Sequence, residues 1–232
     1  MINTVHRARK READYHRNYY SKHKLGDTGT WLIRPAQYAI NSFKHLQAHA
    51  PTMLDLGCGI GRHLLPFIDE FNEAQAVGLD ILPEAIEKLD TVIKSKGLTD
   101  RVRTVSVDIA EYNYGLQRFD LVLSISCLEH TASYRQLKDT ITNLQKATKI
   151  GGVNCFMIST DVTWQNRNTG KKIKPVIEYS LDSNELEQYL RDKYESWRIE
   201  DLSRKKWSVP DTIDDREIIN TSTCLQFTAV RV

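Results

Sequence analysis

Paired cysteines are missing from this chain. Cys58, Cys127, Cys155 and Cys224 stand far apart with no Cys-x-x-Cys spacing among them, which argues against a zinc ribbon or a disulfide framework and points to a reducing compartment. Long apolar runs are missing too. None approaches the roughly 18 residues of a membrane span, and the amino-terminal Met-Ile-Asn-Thr-Val-His-Arg has no apolar signal core. The expected location is therefore cytoplasmic, with no membrane partner. Charge of one sign is scarce: 32 Lys and Arg against 30 Asp and Glu leave a formal +2, so the bulk charge marks no polyanion binder and nucleic acid is not an expected partner. Internal repeats and low-complexity tracts are absent, and nothing in the composition fixes an oligomeric state.

What remains is an ordinary soluble composition, 41% hydrophobic and 27% charged in 232 residues, enough for one full core with modest appendages. The charge is uneven along the chain. Arg7, Arg9, Lys10, Arg11, Arg17, Lys22 and Lys24 face only Glu12 and Asp14 in the first 24 residues. With Tyr15, Tyr19 and Tyr20 at helix-like spacing, residues 1–29 read as a basic helical arm or lid, and residues 30–232 as the main domain. Residues 30–49 carry apolar positions at helical intervals, with Pro35 suited to a first turn, and are expected to form a helix covering the domain. His45 and His49 stand four apart on it, a surface pair with no third metal ligand at hand.

The richest stretch is Met-Leu-Asp-Leu-Gly-Cys-Gly-Ile-Gly at residues 53–61, an apolar run followed by three alternating glycines. It reads as a strand, a tight turn and a helix start, with Gly57 and Gly59 leaving room for a ligand to lie on the backbone. Asp80 closes a second apolar run 80 − 61 = 19 residues beyond the last glycine, where a βαβ unit places the carboxylate that accepts bonds from ribose hydroxyls. The spacing of a pyrophosphate loop is not met, because the third glycine comes one residue early. Asp55 would also repel a pyrophosphate and attract an amino group. An NAD-binding domain is disfavoured on both counts.

Further strands and helices alternate after this unit. A helix is expected at 62–71, a strand at 75–79, a helix at 83–94, a strand over Val102 to Val107 ahead of Asp108, and a nearly continuous apolar strand at 119–125 that reads as central. A helix at 137–148 and a strand at 153–158 follow. Residues 161–174 read as a polar loop, 184–193 as a helix, and 197–202 and 222–230 as a final antiparallel pair joined by a long loop at 203–221. The pattern is α/β, a doubly wound Rossmann-like sheet of seven strands with the last antiparallel, preceded by the helical arm.

Together, Asp55, the glycines and Asp80 resemble motif I of the class I S-adenosylmethionine (SAM) methyltransferases. Phe119-Asp120, Leu123-Ser124, Gly151-Gly152-Val153-Asn154, Glu185-Leu186, Tyr189 and Trp197 resemble the tellurite-resistance methyltransferase group within that family. The resemblance implies that the cofactor is S-adenosylmethionine. Arg34, Asp55, Gly57, Cys58 and Gly59 would serve its methionine part, Asp80 and Ile81 the ribose, Asp108 and Ile109 the adenine edge, and Ser126 the stretch after the fourth strand. His130 is the candidate general base, with Glu129 beside it.

The tellurite group's His-Arg pair between the last two strands has no counterpart here. That region offers Arg204, Lys205, Lys206 and Arg216 instead. These cations, Arg216 among the candidate catalytic residues, lead to the expectation of a small, soft, anionic acceptor such as a thiol or a chalcogen oxyanion. The alternatives are a protein or RNA acceptor recruited by the basic arm with Trp164 and Trp207, or a SAM-binding module without turnover.

Overall fold

The computed structural model describes residues 2–213 and 216–232. It opens with helix α1 (Ile2–Lys22), a run without glycine or proline, laced by Lys10–Asp14 at 2.8 Å and Glu12–His16 at 3.2 Å across successive turns. Single helical turns at Trp31–Ile33 and Phe43–His45 flank a short α2 (Gln37–Ser42). The expected continuous helix at 30–49 is thus broken into pieces. Pro35 is the reason: it forces Arg34 into extended backbone at φ −157°, ψ 159°, and Ala36 after it is extended as well.

The alternating unit follows as β1 (Thr52–Leu56), α3 (Leu64–Glu70), β2 (Gln75–Asp80), α4 (Pro83–Ser95), β3 (Val102–Ser106), β4 (Phe119–Ile125) and α5 (Tyr134–Ala147). The chain finishes through β5 (Thr148–Asn166), β6 (Lys172–Ile173), α6 (Ser183–Lys193), β7 (Trp197–Ile213) and β8 (Arg216–Arg231). Among the described residues these make one eight-stranded sheet in the order β3-β2-β1-β4-β5-β8-β7, with β6 paired to the far part of β5. The first five strands are parallel, and β8 runs antiparallel to both of its neighbours.

Parallel strands joined by helices must bury both faces, and the side-chain period of two sorts their residues into two cores. Leu54, Leu56 and Val122 pack with Leu137, Ile141, Leu144, Leu186 and Leu190 from α5 and α6. Met53, Leu121 and Leu123 pack on the other face with Leu64, Phe67, Leu89 and Ile93 from α3 and α4. All of these residues but Ile93 are fully inaccessible, and the sheet is a rigid platform whose carboxyl ends carry the loops.

Two expected loops are strands. Residues 161–166 extend β5, and Asn166 reverses the chain by accepting bonds from the amides of Asn168 and Thr169. Residues 203–213 and 216–221 continue β7 and β8 as a long antiparallel pair, and residues 214–215 lie outside the described residues. Its β7 arm is exposed on both faces, so no apolar alternation marks it as a strand. No helix among the described residues is long and apolar enough to cross a membrane.

Candidate functional site

The glycine turn begins where β1 ends. Gly57 has φ +69°, and a Cβ there would come within 2.8 Å of the Cys127 Cβ, so the position is closed to any side chain. At Gly59, with φ +52°, an added Cβ would lie 2.6 Å from the Tyr20 hydroxyl of α1. The turn is tied to the next strand: the Cys58 amide donates to the Leu79 carbonyl at 2.9 Å, and the Gly59 amide donates to Asp80 Oδ2 at 2.8 Å. Asp80 Oδ1 accepts from the Leu82 amide at 2.9 Å. Burial raises the Asp80 carboxyl above its ordinary value, and these amide bonds pull it partly back.

Asp55 has no such compensation. It is buried inside β1, and neither of its oxygens meets a donor. Burial, then the nearby Asp80 charge, pushes it well above the carboxylate range.

A cavity of about 860 Å³ lies over the carboxyl ends of β1, β2, β3 and β4, roofed by α1. Nine expected residues converge on its wall: Gly57, Cys58, Gly59, Asp80, Ile81, Asp108, Ile109, Ser126 and His130. Ligands in open α/β sheets collect at this end, where neighbouring connections leave toward opposite faces. Asp55 lies beneath the turn and does not line the cavity. Glu129 turns away, accepting from the Ser159 amide at 3.0 Å, and burial raises its carboxyl.

Two expected residues are elsewhere. Arg34 is exposed, and only its carbonyl is engaged, by Arg62 Nε at 2.8 Å. The extended backbone before Pro35 sets that outcome, and Arg62, 5.2 Å over the Trp31 ring, is the arginine that lines the cavity at this point. Arg216 sits at the far end of the β7–β8 pair, exposed and opposite Ile213. Arg204, Lys205 and Lys206 do not line the cavity either, and Arg204 is held by Glu187 and Asn184 of α6. Trp164 is buried with Arg11 stacked 4.8 Å over it, so it presents no surface to a macromolecule.

Beside the expected Tyr20, α1 faces the cavity with Arg9, Glu12, Ala13 and His16, which sequence reasoning did not single out as site residues. Their spacing of three and four places them on one helix face. Arg9 donates through Nη1 to Asp108 Oδ2 at 2.7 Å and through Nη2 to the His130 carbonyl at 3.1 Å, joining α1 to the ends of two strands. Burial would raise Glu12, but its bond to His16 and the charges of His130, His16 and Arg11 bring it down to about 2. Glu178, from the segment before α6, was also missed. It lies 3.3 Å from His130 Nδ1. No cluster of three or more His, Cys, Asp or Glu side chains able to hold a metal occurs among the described residues.

Residues 53–152 match the family model described as a methyltransferase domain. Ajmaline N-methyltransferase from Rauvolfia serpentina is 37% identical over 78 residues, 34% of this chain and 26% of that enzyme, so the chain spans about a quarter of that relative's length. Among solved structures, TehB from Haemophilus influenzae superposes with a TM-score of 0.64 at 18% identity, covering 94% of this chain and 67% of TehB. Geranyl diphosphate C-methyltransferase from Streptomyces coelicolor, in complex with S-adenosyl-L-homocysteine, gives 0.58 at 14% identity, covering 84% of this chain and 79% of that one. At these identities the structural likeness establishes the shared fold.

The unpaired Asp55 generates a prediction. Its folded-state carboxyl is raised, so the folded chain holds that proton more tightly than the unfolded chain, and stability falls as pH climbs above the ordinary value of about 4. Asp55→Asn is therefore expected to raise the melting temperature of the ligand-free protein, with a larger gain at pH 8 than at pH 5. A calorimetric scan showing no gain, or a larger one at pH 5, contradicts this.

Proposed function

We propose that this chain, which carries a class I S-adenosylmethionine-dependent methyltransferase domain, binds S-adenosylmethionine in the cavity roofed by α1 and methylates a small molecule there. The observation that carries the reading is the convergence, on one cavity wall at the carboxyl end of the sheet, of the glycine turn and an Asp80 carboxylate pinned by two amides. A nucleoside whose ribose hydroxyls donate to Asp80 fits that pair of features; a pyrophosphate beside that carboxylate does not. The cofactor supplies an already activated methyl group, leaving the protein to align a nucleophile and exclude water.

Each residue's share follows from its place. Gly57 and Gly59 let Cys127 and Tyr20 close on the turn and leave its backbone on the cavity wall. Asp80, pinned by two amides, presents a fixed carboxylate edge for a ribose. Asp108 and Ile109 stand where the adenine edge is expected, and Arg62 provides a cation on the cavity wall for a carboxylate, the role the sequence assigned to Arg34. Residues 2–22 form the roof, latched by Arg9 on Asp108, by Arg17 on Glu84 at 2.7 Å and by Lys88 on the Tyr20 carbonyl at 2.7 Å. Two of these latches are exposed or half-exposed, as suits a lid that opens.

A small acceptor is favoured because the roof leaves one bounded space, and the ajmaline enzyme's name describes a small substrate. The cations that suggested an anion lie outside that space. They give no support to electrostatic capture of one.

Asp80→Ala should weaken S-adenosylmethionine binding by about 1.5 to 3 kcal/mol in titration calorimetry, the range for bonds to a charged acceptor, with an unchanged far-UV spectrum. An unaltered dissociation constant in the folded variant removes Asp80 from the site. Amides of α1 should exchange more slowly once S-adenosylhomocysteine is added; equal rates with and without it would refute the lid.

A further inference from the structure

We propose that Glu178 is a positioning residue for His130: its buried carboxylate fixes the imidazole through Nδ1 and keeps the second proton on the ring, so that His130 meets the acceptor as a charged hydrogen-bond donor. The inference rests on the methyltransferase reading for its meaning, although the protonation state can be tested without it.

The geometry is specific. The Glu178 side chain is 3% exposed and the His130 ring 36%, so the carboxylate is sealed behind an imidazole that opens to the cavity. Nδ1 is committed to Glu178 Oε1 at 3.3 Å, which leaves Nε2 as the remaining nitrogen. A neutral ring protonated at Nδ1 would present Nε2 as an acceptor, the state a general base needs. The groups around the ring decide against that state. Glu178 faces it from the segment before α6, Glu12 from α1, and Glu129 from its own turn. The cation of α1 nearest its backbone, Arg9, is already paired with Asp108 at 2.7 Å, and His16 is bonded to Glu12 at 3.2 Å. The Tyr179 hydroxyl is occupied by Thr131 at 3.1 Å.

Burial alone would make His130 less basic. The Glu178 hydrogen bond and the charges of Glu12, Glu129 and Glu178 outweigh it and push the ring up to about 9. A proton held that tightly is not exchanged for the acceptor's at neutral pH. The acceptor class that suits such a site enters with its attacking lone pair already free, as a thiolate does, and leaves no proton for the protein to take. His130 itself is then left with no ring nitrogen free to accept.

The test is a titration of the ring in the cofactor-free chain, using histidine labelled with carbon-13 and nitrogen-15 and the His130 signal identified by its loss in His130→Gln. The wild-type ring is expected to stay protonated past pH 8. In Glu178→Gln, which keeps the size and hydrogen-bonding reach of the side chain, its midpoint should fall by about one pH unit or more toward 6.5. A wild-type midpoint near 6.5 overturns the proposal, whether or not the variant folds. An unchanged midpoint in a folded Glu178→Gln also overturns it, leaving Glu178 a merely structural tie. Calorimetry with S-adenosylmethionine on the same sample separates these outcomes from a failure of the methyltransferase reading, since the ring titration is read in the cofactor-free chain.

Discussion

Two carboxylates buried on adjacent parallel strands constrain the rest of this molecule. Asp80 is compensated by two backbone amides, one of them from the glycine turn, so its charge also fixes the shape of that turn. Asp55, one strand away, has no donor and feels the Asp80 charge as well. A fold keeps such a group only when the surrounding core over-determines it, and the fully buried Leu54, Leu56, Leu121 and Leu123 around it do so. Of the two, Asp80 alone faces the cavity, as a carboxylate edge under a backbone cradle.

The roof matches the sheet beneath it. Helix α1 brings Arg9 to Asp108 and Glu12 to the neighbourhood of His130, so the charges of the arm are matched to groups that the sheet already displays. The basic character of the first 24 residues therefore has a local explanation. Some of those cations hold the roof down, and the exposed ones, such as Lys10 with Asp14, form pairs worth little. The site is a joint product of two parts of the chain that are distant in sequence, 99 residues apart for Arg9 and Asp108.

Much of this was legible in the sequence where local chemistry and global packing agree. The strand at 119–125 had to be central because nearly all of its residues are apolar, and it pairs between β1 and β4's other neighbour β5. Gly57 and Asp80 were legible because a βαβ turn demands their residue types at their spacing. The placement of Arg34 was not: the backbone before Pro35 is extended, and Arg34 lies off the cavity wall that Arg62 lines. The far half of the β7–β8 pair was not, because its β7 arm is exposed on both faces and carries no period. Glu178 was hidden for another reason, since a residue 48 positions from its partner in an irregular segment leaves no spacing signal.

The central claim is that the cavity is built for a nucleoside bearing an amino acid. Titration calorimetry of the intact chain with S-adenosylmethionine and, separately, with NAD tests it most directly. The account predicts saturable one-to-one binding of S-adenosylmethionine and no measurable heat of binding with NAD. Binding of NAD in preference to S-adenosylmethionine would contradict it.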